Sequence, residues 1–122
     1  MIETTRLPEE IVTRTTGMDF SIVPTVEKRT LSGIDEIQCL HVYPWTSIKM
    51  HGHKNQWEVW VLVSHQTAYI CLHDEKHELV NNTDSMVEVM AIKGHIKYTY
   101  DELEEFFVNL GFSVVHGSMR VS

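Results

Sequence analysis

The sequence predicts an all-β fold, an antiparallel jelly roll or β-barrel with one helix near its C-terminus. Three observations predict it. Short apolar or alternating runs recur between turn signals roughly every 8 to 12 residues, the spacing of sandwiches and barrels. The helices that would have to alternate with the strands of a parallel sheet are missing. One stretch, around residues 100–110, combines helical periodicity with signals for both helix ends.

Residues 1–18 read as an N-terminal arm, interrupted by Pro8, a threonine-rich tract and Gly17. Within it Leu7–Val12 suits a single helical turn, because proline is tolerated at the first helical position. Such an arm can cover a sheet edge or reach a neighbouring subunit. The single domain then spans 19–122, with no internal repeat or linker.

Phe20–Val23 is an apolar run stopped by Pro24, and Val26–Leu31 continues extended to the Ser32-Gly33 turn. Ile34–Tyr43 alternates, with Ile37, Cys39, His41 and Tyr43 on one face and Leu40 and Val42 on the other. Pro44 ends this strand, and Ser47–His53 follows as the next. After the polar break Lys54-Asn55-Gln56, the run Trp57–Val63 is apolar, aromatic and β-branched, as a central strand is. Thr67–Leu72 returns as its hairpin partner. Asp74-Glu75-Lys76 and Asn81-Asn82-Thr83-Asp84 are turns on either side of the short strand Glu78–Val80. Met86–Ile92 is a further strand, which Ile96–Tyr100 extends.

Thr99-Tyr100-Asp101-Glu102 fits a capping box, acids fill the first turns, and Gly111 stands where a C-terminal cap belongs. Leu103, Phe106, Phe107 and Leu110 fall at i, i+3, i+4 and i+7, giving the helix an apolar face for the sheet. Phe112–His116 reads as the last strand.

With 122 residues, 43% hydrophobic and 22% charged, the chain buries one core without needing a disulfide. Cys39 and Cys71 lie inside apolar runs and read as buried free thiols. A net charge of -7, with ten Lys and Arg of which only Lys28 and Arg29 are adjacent, argues against a nucleic-acid face and equally against an acidic or anionic-lipid partner. The start of the sequence has no charged-then-apolar leader, and no apolar run approaches ~18 residues, so the expected location is cytoplasmic. Outward apolar strand faces and the arm suggest a two-fold homodimer.

The chemistry concentrates in His51-Gly52-His53-Lys54-Asn55-Gln56-Trp57-Glu58. Residues i and i+2 of a strand face the same side, so His51 and His53 can converge, and Glu58 supplies a carboxylate. Imidazole and carboxylate together suit zinc, iron, manganese, nickel or copper, with coordination positions left open. Because His53 and Glu58 are an odd number of residues apart, residues 54–56 must reset the strand phase. Glu58, Trp60 and Leu62 then point inward, while Trp57, Val59 and Val61 pack outward. His73 and His77, flanking the 74–76 turn, are read as turn residues, and His65 and His116 as turn and terminal surface residues.

A strand carrying His-x-His-x-x-x-x-Glu, its hairpin partner and a later strand closed by histidine resembles the cupins, a family of small jelly-roll barrels. The resemblance covers about residues 37–98. It implies a metal site formed by His51, His53, Glu58 and His95, beside a pocket to which Trp60, Tyr43, His41 and Lys49 contribute. His65 stands at a family glycine position, and Met90 and Ile92 stand where the second motif has proline and glycine. The implied function is a metal-dependent enzyme acting on a small carbonyl- or sugar-type substrate. The alternatives are a metal-free isomerase or epimerase of sugar nucleotides, with His51 as acid or base beside Tyr43 or Lys49, and a non-catalytic small-molecule sensor.

Overall fold

The computed structural model describes residues 2–6, 34–52 and 55–122, and only the backbone of residues 2–6, Lys49, His51 and Val63. The expected strands at 20–23 and 26–31, the helical turn at 7–12, the arm boundary at 18/19 and His53 lie outside the described residues. In chain order the elements are β1 (Ile2–Arg6), β2 (Ile34–Val42), β3 (Thr46–His51), β4 (Trp57–Leu62), β5 (Thr67–Cys71), β6 (His77–Asn81), β7 (Val87–Gly94), helix α1 (Tyr100–Asn109), β8 (Ser113–His116) and β9 (Met119–Val121). A 3-10 turn, Val63–His65, joins β4 to β5.

The strands form two sheets. One has six strands in the order β1-β2-β7-β4-β5-β8, and the other has three in the order β3-β6-β9. The chain is therefore mostly β, as expected, but both sheets are open and mixed. β8 runs parallel to β5, and β9 parallel to β6. The cause is α1. Because β7 and β5 both lie antiparallel to β4, β7 and β8 point the same way. Two strands with the same direction in one sheet need a crossover, and the helix supplies it. β7 accordingly stops at Gly94, and Ile96–Tyr100 leads into the helix instead of extending the strand.

Both ends of α1 are built as their residues dictate. Thr99 Oγ1 accepts from the Glu102 N–H at 3.2 Å, and the Glu102 carboxylate accepts from the Thr99 N–H at 3.0 Å. At the other end Gly111 takes φ 93°, the left-handed conformation that glycine adopts without a Cβ penalty. Its N–H then reaches Val108 O at 2.9 Å and the Phe112 N–H reaches Phe107 O at 3.0 Å, the Schellman pattern. Phe112 and Phe107 make the apolar contact that accompanies it.

β4 is buried at all six positions, which requires cover on both faces of its sheet. Trp57, Val59 and Val61 pack with Leu103, Phe106 and Phe107 of α1, together with Ile37, Cys39, Met90 and Ile92. Trp60 and Leu62 belong to a second cluster with Leu79 and Met119 of the small sheet, and with Leu40, Val42, Val89 and Ala91. The described residues thus form three layers: helix, large sheet, small sheet. The alternation expected along β2 and β4 assigns each residue to the correct layer. Among the described residues no helix is long and apolar enough to cross a membrane.

Candidate functional site

Two polar clusters interrupt these apolar layers, one on each face of the large sheet. The first lies between the sheets. Glu58, the second residue of β4, is only 4% exposed, and His77, the first residue of β6, is 1% exposed. His77 Nε2 and Glu58 Oε1 are 3.0 Å apart, while Trp60 Nε1 donates to Glu58 Oε2 at 2.8 Å. The His77 ring meets the Trp60 ring edge-on at 4.9 Å. Its Nδ1 lies 3.2 Å from the Glu75 carbonyl. The ring is thus held at both nitrogens, by a backbone carbonyl on one side and a carboxyl oxygen on the other.

The local chain explains this placement. β3 pairs with β6, and a register shift between Ile48 and His51 makes His51 the cross-strand partner of His77. Gly52 follows, and a Cβ there would come 3.1 Å from the Glu75 carbonyl oxygen that holds His77. Glycine thus permits the close approach. Because β3 and β4 belong to different sheets, the parity of residues 53 and 58 does not govern their relation. His77 is a buried strand residue and not the turn residue expected. The signal for it was present: His77, Leu79 and Asn81 alternate inward along β6.

The second cluster lies on the helix-side face. Cys39 and His41 are i and i+2 on β2, and His41 is the cross-strand partner of Glu88 on β7. Cys39 Sγ is 3.5 Å from His41 Nε2 and donates to Glu88 Oε1 at 3.5 Å. His41 Nε2 and Glu88 Oε2 are 3.7 Å apart. One donor atom from each residue falls within 4.8 Å of the others, so the group could hold a metal ion. Burial, then the charge of Glu88 and its hydrogen bond, push the Cys39 thiol up to about 11. Cys71, the strand partner of Glu58, is pushed up to about 12 by burial, with the charges of Glu58 and Glu75 adding to it. Both cysteines are free and buried, as read from the sequence.

The other expected site residues distribute as follows. His95 is exposed beyond the end of β7, with Nδ1 2.7 Å from Asp35 Oδ1. Hydrogen bonds from Gln56 and from His95 hold Asp35 below its usual range. Trp60 is buried beside Glu58, His41 belongs to the cysteine cluster, and the Tyr43 carbonyl accepts from the buried Asn81 amide at 3.2 Å. The side chains of His51 and Lys49, and all of His53, lie outside the described residues. An open cleft of about 660 Å³ sits where the 3-10 turn, the start of β7 and the end of β9 meet, bordered by Leu62, His65, Met86, Glu88 and Val121. Trp60, Tyr43 and His41 are not among its lining residues.

No protein-family model, curated protein or solved structure is significantly similar to the chain.

Proposed function

We propose that the protein is a small cupin-like β-sandwich that binds a divalent transition metal between its sheets, at Glu58 and His77 with the His51 strand, and through it a small carbonyl- or sugar-type ligand. The observation that carries this reading is the Glu58–His77 pair. A carboxylate and an imidazole in an apolar interior carry a large desolvation cost, and replacement by apolar residues of similar volume is often neutral or stabilising. Its presence beside the His51 strand therefore favours a chemical use.

The donor set fits a metal. Two ligands at about 2.0–2.1 Å from a tetrahedral ion stand about 3.3 Å apart. The observed 3.0 Å between Nε2 and Oε1 needs to open by only a few tenths of an ångström. A bound ion would act as a Lewis acid toward a ligand carbonyl. The protein's own part is to aim the groups: the Glu75 carbonyl fixes the His77 ring, and the Trp60 N–H fixes the outer carboxylate oxygen. His77 takes the place that the cupin resemblance gave to His95.

A second reading uses the same pair without metal, as a proton-sharing dyad in acid–base catalysis. It is favoured by the fact that both carboxylate oxygens and both ring nitrogens already have partners. Elemental analysis of the purified protein separates the two. The metal reading expects a transition metal in the unaltered protein, lost in Glu58→Gln and in the His51→Ala, His53→Ala double variant. Metal content that these variants leave unchanged overturns it, and ligand binding that survives exhaustive chelation selects the dyad.

A further inference from the structure

We propose that Cys39, His41 and Glu88 form a separate zinc-type metal site on the opposite face of the large sheet, with its fourth coordination position open to solvent. Nothing in the His-x-His reading points to it, and it stands or falls independently of the interior site.

The geometry is that of a metal face before the metal. For a tetrahedral zinc ion with sulfur at about 2.3 Å and nitrogen or oxygen at about 2.0–2.2 Å, the edges between ligand atoms come to about 3.3–3.6 Å. Cys39 Sγ already stands 3.5 Å from His41 Nε2 and 3.5 Å from Glu88 Oε1, Nε2 stands 3.7 Å from the other carboxylate oxygen, Oε2, and one donor atom from each residue lies within 4.8 Å of the others. An ion can settle above that triangle without moving the backbone, because two ligands share one strand face and the third is a direct strand partner. Strand pairing holds β2 between β1 and β7, so the two backbones that carry the ligands are fixed.

The burial is graded in the direction an open site needs. Cys39 is 6% exposed, the side chain of His41 33% and that of Glu88 52%. The sulfur sits at the floor, the imidazole and carboxylate form the rim, and water or a small anionic ligand can take the fourth position from outside. A thiolate, an imidazole and a carboxylate together select zinc or a similar borderline ion over magnesium or calcium, which take oxygen ligands.

Binding must displace the thiol hydrogen that Cys39 now donates to Glu88. The sulfur becomes a metal-bound thiolate, the proton passes to solvent by way of the carboxylate, and no oxidant or reductant is needed. Zinc uptake at neutral pH should therefore release about one proton per chain, which an interior site of imidazole and carboxylate alone would not require of a thiol.

The test uses metal-free full-length protein titrated with cobalt and then with zinc. A near-ultraviolet sulfur-to-cobalt charge-transfer band saturating at one equivalent is expected, and zinc should bleach it. Cys39→Ser should abolish the band, and Glu88→Gln and His41→Ala should each weaken zinc binding at least tenfold. Cys71→Ser should leave the band unchanged. Circular dichroism of each variant checks that the fold persists, and if His41→Ala does not fold, Glu88→Gln at the exposed rim carries the test. Absence of the band in the unaltered protein, or its survival in Cys39→Ser, overturns the proposal. Metal that binds without the band and is lost in Glu58→Gln belongs to the interior site.

Discussion

The two faces of the large sheet carry polar clusters of similar composition and opposite circumstance. Between the sheets, Glu58 and His77 are enclosed, and every polar atom of the pair meets a partner. On the helix-side face, beyond the apolar stretch that α1 covers, Cys39, His41 and Glu88 rise from a buried sulfur to a half-exposed carboxylate. Depth decides what each can be. Charges in an apolar interior are costly unless paired, so altering the inner pair perturbs the fold as well as any chemistry the pair serves. Groups at a rim keep their hydration and lose little when altered, so the outer cluster is free to serve a ligand.

The largest effect should come from breaking the inner pair. Glu58→Ala or His77→Ala leaves one buried polar group without its partner and should lower stability by about 3–5 kcal/mol in urea unfolding. The double replacement Glu58→Met with His77→Leu should recover most of this, because no charge is then left stranded. A double variant as unstable as the two single losses combined would show that the pair is needed for more than mutual compensation. Next in size is Trp60→Phe, which removes the donor to Glu58 Oε2 and should cost about 1–3 kcal/mol.

Glu88→Gln and His41→Ala should change stability by no more than about 0.5 kcal/mol, as surface substitutions do. Thermal melts of the two sets, measured side by side on metal-free protein, would break the comparison if a rim variant proved as costly as an interior one.

How much of this was legible follows from what each signal depends on. Local signals were fully readable: the capping box at Thr99 and Glu102, the glycine end at Gly111, and the alternation that sends Trp60 one way and Val59 the other. Each is settled within a turn or a few residues of one strand. Two things depended on register between distant strands. One was the assignment of Glu88 to His41 across β2 and β7; the other was the meeting of Glu58 with His77 across two sheets. No spacing along the chain encodes either. The parity argument for residues 54–56 assumed a single sheet and lost its basis when β3 and β4 proved to lie in different ones. The purely antiparallel expectation failed because the crossover role of α1 depends on where β8 docks, which periodicity does not report. Within the span read as an arm, β1 joins the large sheet as an end strand, pairing with β2 from Ile2 to Arg6.

A smaller effect lies at the acid end. Burial works against ionisation of Glu75, but hydrogen bonds from His116 and from the Leu72 N–H outweigh it and lower its pKa. A depressed carboxylate contributes stability above its unfolded pKa and loses it as pH falls through the folded one. His116→Ala should therefore flatten the acid limb of the stability curve. The change should stay below about 1 kcal/mol, because both side chains are well exposed. An unchanged acid limb would remove His116 from that account.

The finest comparison uses the two thiols, since each one feels the carboxylate of its own face. Raised to about 11 and about 12, Cys39 and Cys71 are protonated at neutral pH, with roughly one thiol in a thousand and one in ten thousand ionised at pH 8. Alkylation of metal-free protein should be slow at both and rise with pH. Glu88→Gln removes a charge that opposes the Cys39 thiolate, so it should speed labelling of Cys39 several-fold and leave Cys71 unchanged. Glu58→Gln should do the reverse, provided the fold holds under the labelling conditions. Mass spectrometry of the labelled peptides reads both sites in one sample. If either substitution accelerated both cysteines equally, the cause would be loosening of the shared sheet, and the two faces would not be electrostatically separate.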